Sequence, residues 1–249
     1  QTSFGLAVQF LGHANQDGGM QAHITGGIGG NGIVFGGNDD LERGDSVFDK
    51  FKLGIEIIEA IGAIGSSGLI VCPARGRPEL SAKDLRHDFV TNTGKRLAEC
   101  AVKNKTVIML EPLRRNETPF LRQVPDGAKM AQEIGPGATV MADFWHMAGE
   151  ESDMMGAMLC ARGILSHVHI ASLRNRRVPG TDGDADNYVD GFRGMKMLGY
   201  NGLVSFEGGL PPKGKDAKGK LIWLNNNDPQ TSELLDAMCR LLREQWANA

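Results

Sequence analysis

Four polar side chains lie at the ends of four short apolar runs, and this pattern constrains the fold more than any other feature of the chain. The runs end at Glu111, Asp143, His169 and Glu207. Each gap between successive members is long enough for a loop, a helix and a return loop. Parallel strands joined by helical crossovers would therefore carry these four side chains at the same end of one sheet.

The order of the remaining segments predicts alternating strands and helices. Apolar runs predict six strands, and periodic apolar positions predict six helices. The strands are 4–11, 68–73, 107–112, 139–143, 167–170 and 203–207, and the helices are 45–64, 84–104, 125–134, 150–162, 186–198 and 231–246. This alternation is typical of a parallel sheet with helices outside it. A seventh strand at 32–35 would lie within a glycine-rich segment.

The length of the chain suits one large domain. With 249 residues it has the length of a (β/α)₈ TIM barrel, which takes about 250 residues. Six clear strands are fewer than eight, so we predict a TIM-type α/β barrel whose first one or two βα units are missing or divergent. We assign residues 1–249 to this single domain.

Charge and hydropathy exclude two classes of partner. The net charge of −3 and the isoelectric point near 6.1 provide no basic field for phosphates, so we expect no nucleic-acid binding. No apolar run is long enough to cross a membrane. The first residues do not resemble a signal peptide, and the four cysteines show no paired spacing. We therefore expect reduced thiols and a cytoplasmic protein.

The four polar residues have the composition of a metal site. A single glutamate before proline at a strand end is usually an exposed loop carboxylate, but four such positions on four successive strands argue for a shared role. Two glutamates, one aspartate and one imidazole form a hard, oxygen-rich set. We expect one divalent ion, with Mn²⁺ favoured and Mg²⁺, Co²⁺ or Zn²⁺ as alternatives.

The same strand ends resemble the xylose-isomerase-like superfamily of TIM-barrel sugar isomerases and epimerases. This superfamily includes ketose 3-epimerases, hydroxypyruvate isomerase, inosose dehydratase and relatives of apurinic endonucleases. The resemblance is carried by the segments 110–118, 143–147, 167–171, 176–180 and 199–207. It implies that Glu111, Asp143, His169 and Glu207 are the metal ligands.

The resemblance also implies three substrate-binding residues, which are Glu117, His146 and Arg176. The loop from His169 to Arg176 is one residue longer than the usual spacing of the family. Arg174 and Arg177 therefore remain alternatives to Arg176.

The resemblance implies a divalent-metal-dependent sugar isomerase or epimerase. Such an enzyme abstracts a proton next to a carbonyl through an enediolate, and Glu111 and Glu207 would serve as acid and base. The metal would act as a Lewis acid toward the oxygens of a sugar or keto-polyol substrate. We also expect a homo-oligomer.

Three other functions remain open. A lyase, dehydratase or deglycosylating subunit could use the same metal and carboxylates. An abasic-site endonuclease would need a trinuclear zinc site rich in histidine, and the chain has only six histidines. A non-catalytic sugar-binding protein would not require the complete set of four ligands.

Two further segments have no place in this site. The polar insertion 211–228 follows Glu207, and we predict that it is a lid or an oligomer contact. Asp182, Asp184 and Asp186 form a D-x-D-x-D run. Because the glycine and the distal glutamate of a calcium loop are absent, we interpret this run as a capped loop before a helix.

Overall fold

The computed structural model describes residues 6–8, 33–35, 47–72 and 80–249. Within these ranges, seven strands form one sheet in which every neighbouring pair is parallel. They are β1 (Leu6–Val8), β2 (Ile33–Phe35), β3 (Leu69–Val71), β4 (Ile108–Leu110), β5 (Ala138–Asp143), β6 (Leu165–Ile170) and β7 (Val204–Phe206). The strand expected within the glycine-rich segment is therefore β2.

The strand order is that of a barrel with one interruption. Strands β2 to β7 are neighbours in sequence order, and β1 pairs with β7, as the first and last strands of a closed barrel do. The two ends of the described sheet are β1 and β2. The chain between these two strands, residues 9–32, lies outside the described residues, so the divergence expected for the N-terminal βα units stays a prediction.

Eight α-helices are described in residues 47–72 and 80–249. They are α1 (Val47–Ala63), α2 (Ala82–Asp88), α3 (Lys95–Lys103), α4 (Val124–Ile134), α5 (Phe144–Glu150), α6 (Met154–Cys160), α7 (Val189–Leu198) and α8 (Pro229–Asn248). A π-helical segment, Phe89–Gly94, joins α2 to α3, so the helix predicted over 84–104 is continuous but not uniform.

The helix predicted over 150–162 is confirmed as α6 but is shorter, because it covers only Met154–Cys160, and the preceding helix α5 was not predicted. Asp143 caps α5 at its start by accepting from the backbone N–H of Trp145 at 2.7 Å. Glu151 is extended, and its carboxylate accepts from the backbone N–H of Val124 at 2.7 Å. Asp153 then caps α6. The chain therefore leaves the helical conformation between α5 and α6, where Glu151 binds a backbone N–H of α4 and Asp153 caps the next helix.

Alternate residues of β3, β4 and β5 line the interior of the sheet. Ile70, Met109 and Met141 form a small apolar cluster of their own. The residues between them, such as Leu110 and Val140, pack in larger clusters with the helices. Because side chains alternate along a strand, residues two positions beyond the cluster lie on the same inner face, at the carboxyl ends of the strands.

A β-bulge in β6 sets the register at the centre of the sheet. Val140 pairs with Leu165, but Met141 pairs with His167, so Ser166 is an extra residue. The Ser166 hydroxyl lies 2.7 Å from the Thr139 hydroxyl. Beyond the bulge Asp143 pairs with His169. The bulge therefore restores the alternation that places these two side chains together.

The polar insertion forms an exposed antiparallel hairpin of β8 (Pro212–Lys215) and β9 (Leu221–Trp223). Its role as a lid or oligomer contact stays a prediction. All four cysteines are free thiols, as expected. In the described part of the chain, no helix combines the length and apolar character needed to cross a membrane.

Aromatic packing joins helix α7 to α5 and to α8. Phe192 on α7 is fully buried, with ring centroids 5.6 Å from Phe144 and 5.4 Å from Trp246. We expect Phe192→Ala to lower the free energy of unfolding by about 3–5 kcal/mol, because it removes a large buried side chain and leaves a cavity. The measurement is urea denaturation followed by circular dichroism.

The matched control for this change lies on the same helix. Met197 is 54% exposed, so Met197→Ala should change the free energy of unfolding by less than about 0.5 kcal/mol. Equal effects of the two substitutions would contradict the packing described for α7.

Candidate metal centre

The four side chains singled out by the sequence meet at the carboxyl ends of β4 to β7. Glu111 and Glu207 follow directly after β4 and β7, Asp143 is the last residue of β5, and His169 lies in β6. All four are buried, with exposed fractions of 2%, 8%, 1% and 1% respectively. One ligand atom from each lies within 4.8 Å of the others.

The donor atoms of this cluster are arranged as ligands rather than as hydrogen-bonding partners. The buried atoms Glu111 Oε1 and His169 Nδ1 have no hydrogen-bond partner. Nδ1 of His169 lies 2.7 Å from Glu207 Oε2, close enough for both atoms to bind one ion. Ligands held about 2.1–2.3 Å from a shared cation lie within about 4–5 Å of each other. The cluster can therefore hold one divalent ion.

Burial and mutual charge shift the pKa values of these groups in opposite directions. Burial, together with the negative charge of Glu207, raises the pKa of Glu111 to about 8. Burial alone would lower the pKa of His169, but Glu207 outweighs it and raises this pKa to about 9. Burial also opposes ionisation of Glu207, whereas His169 and Arg176 lower its pKa. A divalent ion would compete with protons at this site.

Asp143 uses its two oxygens for different purposes. Oδ1 accepts from the backbone N–H of Trp145 and, at 3.4 Å, from that of His146 at the start of α5. Oδ2 lies 3.8 Å from Nε2 of His146 and 3.3 Å from the Arg176 guanidinium. The carboxylate is thus both a helix cap and a member of the cluster, and the cap fixes its orientation.

The backbone of the β4 loop fixes the tautomer of His146. The N–H of Arg114 donates to Nδ1 of His146 at 3.0 Å, so the neutral ring carries its proton on Nε2. Burial lowers the pKa of His146, which keeps the ring neutral. Nε2 is buried without a partner and lies 3.9 Å from Glu111 Oε1. His146 therefore presents an N–H donor to the space beside the cluster.

Arg176 is the arginine that reaches the cluster. Its guanidinium donates to Glu207 at 2.9 Å and to Asp143 at 3.3 Å. The other two arginines left open by the sequence lie elsewhere: Arg177 stacks over the Trp223 ring at 4.5 Å, and Arg174 is exposed. Arg176 thus places a fixed positive charge on two of the three carboxylates.

Glu117 lies at the rim of the site. Its carboxylate is 4.0 Å from Nδ1 of His146, and its side chain is 28% exposed. A turn holds it there, because its backbone N–H donates to the carbonyl of Arg114 at 2.8 Å. The structure therefore brings all seven residues singled out by the sequence to one end of the sheet.

Two residues near the cluster were not identified as site residues. The thiol of Cys72 donates to Oε2 of Glu111 at 2.9 Å, which leaves Oε1 facing His169 and His146. Cys72 stands two residues after Ile70, so strand periodicity could have identified it. Trp145, interpreted either as a pocket wall or as packing, lies between two guanidinium groups, with Arg114 at 3.5 Å and Arg176 at 4.6 Å from its ring centroid.

Comparison with known proteins agrees with this architecture. The family model described as xylose isomerase-like TIM barrel matches residues 9–227. The chain belongs to this family. The D-psicose 3-epimerase of Clostridium cellulolyticum H10, solved with D-tagatose, superposes with a TM-score of 0.66 at 21% identity, covering 80% of this chain and 71% of that one. The TIM-barrel fold predicted from the sequence is confirmed.

Curated relatives are sugar epimerases. The 3-dehydro-D-guloside 4-epimerase of Escherichia coli (strain K12) is 30% identical over 161 residues, which are 61% of this chain and 60% of that protein. The L-ribulose 3-epimerase of Methylomonas sp. (strain DH-1) is 29% identical over 168 residues, 67% of this chain and 56% of that protein. The matched part thus spans less than two thirds of the length of these two relatives.

The cluster predicts stoichiometric metal binding that depends on His169. We expect one Mn²⁺ per chain by elemental analysis, and we expect saturating Mn²⁺ to raise the melting temperature, because an ion bound only to the folded state stabilises it. His169→Ala should weaken Mn²⁺ binding by about 100-fold or more, since it removes the imidazole ligand.

The control is His87→Ala, which changes an exposed histidine on α2 and should leave Mn²⁺ binding unchanged. Mn²⁺ binding of normal affinity in the His169→Ala protein, or several zinc ions per chain in the native protein, would refute a single ion at this cluster.

Proposed function

We propose that this protein is a divalent-metal-dependent sugar epimerase that inverts a carbon next to a ketone. One observation carries the proposal: four buried side chains converge with their ligand atoms within 4.8 Å of one another, beside the unpartnered donor His146 Nε2. A site of this kind binds adjacent oxygens of a substrate and places carboxylates against the carbon between them. We propose Mn²⁺ as its ion.

The names of the relatives support inversion next to a carbonyl. A 3-dehydro-guloside 4-epimerase acts at the carbon beside a ketone at carbon 3. An L-ribulose 3-epimerase acts at the carbon beside the ketone of a ketose. Both reactions require removal of a proton made acidic by the neighbouring carbonyl. The protein itself must therefore supply a base and an acid.

Glu111 and Glu207 are the residues that we assign to proton transfer. One carboxylate removes the proton from the carbon next to the ketone, which leaves an enediolate, and the other returns a proton to the opposite face. They lie on β4 and β7, with the strands of Asp143 and His169 between them. The bound divalent ion supplies Lewis-acid stabilisation of the negative charge that develops on oxygen.

The other polar residues are assigned to the substrate oxygens. His146 offers a proton on Nε2 because the Arg114 N–H occupies Nδ1. Arg176 carries a charge at every working pH and would donate to a hydroxyl or oxyanion at the mouth of the site. Glu117 at the rim would accept from a hydroxyl. These donors and acceptors would orient a polyhydroxylated ketone against the two glutamates.

One feature favours a single-ion enzyme over an abasic-site endonuclease. Within residues 47–72 and 80–249, the four ligands form one group able to hold a metal, whereas a trinuclear zinc site needs several groups. The lyase or dehydratase alternative uses the same carboxylates and differs only in the step that follows proton abstraction. Identification of the reaction products therefore distinguishes an epimerase from a lyase or dehydratase.

The test is turnover of keto-sugars in deuterium oxide. The Mn²⁺-loaded protein is incubated with free ketoses and with 3-keto-glycosides, and the products are identified by NMR spectroscopy and mass spectrometry. We expect an epimer that carries deuterium at the inverted carbon, because the returned proton comes from a carboxyl group that exchanges with solvent. An aldose product would indicate an isomerase, and loss of water or of the aglycone would indicate a lyase.

The absence of both turnover and deuterium uptake across this panel would refute the proposal. Treatment with EDTA should abolish turnover, and Mn²⁺ should restore it.

Removal of a proposed acid–base group should stop turnover without unfolding the protein. We expect Glu111→Gln to lower kcat by about 10²–10⁴-fold, because the amide cannot transfer the proton. The control is Glu133→Gln, which breaks the ion pair with Arg86 at 2.9 Å on the outside of the barrel and should leave kcat unchanged. Near-normal turnover of Glu111→Gln, with an unchanged circular dichroism spectrum in both variants, would remove Glu111 from the mechanism.

A further inference from the structure

The loop that carries Arg176 is organised by two aspartates of the D-x-D-x-D run. Asp186 is 2% exposed and accepts three backbone N–H groups. Its Oδ1 binds the N–H of Leu173 at 2.8 Å, and its Oδ2 binds those of Gly180 and Asp182 at 2.6 and 3.1 Å. One buried carboxylate therefore ties the start of the loop to its far end.

Asp182 fixes the residues immediately before Arg176. Its Oδ2 accepts from the backbone N–H groups of Arg174 and Asn175 at 2.8 and 3.0 Å. Its Oδ1 accepts from the side-chain amide of Asn175 at 2.5 Å. Burial alone would raise the pKa of Asp182, but the hydrogen bonds from Asn175 and Arg174 lower it, so the carboxylate stays ionised.

The backbone at Arg176 needs such support. Its φ of 52° lies in the left-handed region, which costs an ordinary residue free energy. Its N–H donates to the carbonyl of Ser172 at 3.1 Å, and its carbonyl accepts from Gly209 at 2.8 Å. The turn is therefore held from both sides, with the aspartates binding the residues that lead into it.

The loop is also anchored to the last helix. The Gln245 side-chain amide on α8 donates to the backbone carbonyl of Asp186 at 2.7 Å and accepts from the N–H of Tyr188 at 2.6 Å. The Tyr188 hydroxyl in turn donates to the carbonyl of Ala171 at 2.9 Å. Gln245 and Tyr188 thus connect the loop to the packed exterior of the barrel.

We propose that Asp182 and Asp186 are positioning residues for Arg176. By fixing residues 173–182 they select Arg176, rather than its neighbours Arg174 and Arg177, as the arginine whose guanidinium reaches Asp143 and Glu207. Neither aspartate touches the cluster, so both act through Arg176. The role in turnover rests on the function proposed above, whereas the positioning of the guanidinium does not.

Asp184 provides a matched control within the same run. It is exposed, and the structure describes no hydrogen bond for it among residues 80–249. Asp184→Asn removes the same charge from the same loop and should leave the position of Arg176 unchanged. Asp182→Asn keeps the size of the side chain but weakens its acceptance of two backbone N–H groups.

The first experiment is a double-mutant cycle between Asp182 and Arg176, measured on the Mn²⁺-loaded enzyme. We expect Asp182→Asn to lower kcat/KM by about 10- to 100-fold, because misplacing a substrate-orienting group has effects of that size. In the Arg176→Ala background the same change should have less than about a twofold effect. Equal losses in both backgrounds would show a general structural role and overturn the proposal.

A second cycle uses Mn²⁺ affinity and does not depend on turnover. Arg176→Ala should strengthen Mn²⁺ binding, because it removes a positive charge that pairs with Asp143 and Glu207. Asp182→Asn should shift the Kd in the same direction in the native background and leave it unchanged in Arg176→Ala. If this second cycle shows coupling while the native protein turns over no sugar, the positioning role of Asp182 stands and only the proposed function is refuted.

A crystal structure of the Asp182→Asn protein provides a check that needs neither metal nor substrate. The Arg176 guanidinium should be displaced from Asp143 and Glu207, while the Asp184→Asn protein should retain the native contacts. An undisplaced Arg176 would overturn the proposal. The Asp186→Asn protein is tested only if its melting curve shows that it is folded. The two cycles on Asp182 test the proposal without it.

Discussion

Three carboxylates and an imidazole share one buried pocket, and the rest of the site depends on this concentration of charge. Removing like charges from water costs several kcal/mol per ion, and nothing apolar can offset repulsion between them. The pKa values of Glu111 and His169 are raised and that of Glu207 is lowered, and a guanidinium lies on two of the carboxylates. Such a pocket is stable only with positive charge inside it, and this is the physical reason that it can bind a divalent ion.

The strands and the loops contribute different residues to the site. The strands supply the four ligands, whose positions follow from the register Asp143↔His169 and His169↔Ser205. The loops supply polar groups beside the cluster: the Arg114 N–H fixes the His146 tautomer, and the loop after β6 presents Arg176. A sheet register is difficult to change without losing the core, whereas a loop tolerates substitution. The four candidate ligands are therefore held by the rigid part of the fold, and Arg176 and the Arg114 N–H by its loops.

Much of this could be predicted from the sequence, because the relevant rules are local. Apolar runs of limited length with a polar residue at the end identify parallel strands, and parallel strands bring those residues to one edge. The failures have long-range causes. The helix predicted over 150–162 begins only at Met154, because Glu151 before it is extended and binds the N–H of Val124 on another helix. The bulge at Ser166 and the choice of Arg176 among three arginines likewise depend on partners distant in sequence, which periodicity does not reveal.

The β6 loop also shows why a residue can matter to a site that it never touches. Arg176 adopts a left-handed backbone conformation that a short unsupported loop would not maintain, and relaxing it would rotate the guanidinium out of the pocket. Loss of that cation would leave Asp143 and Glu207 less well neutralised, so the hydrogen bonds made by two distant aspartates stabilise charge inside the barrel. The D-x-D-x-D run is therefore best understood neither as a cation site nor as an ordinary cap. Asp182 and Asp186 hold the loop backbone that places the Arg176 guanidinium on two carboxylates of the candidate metal centre.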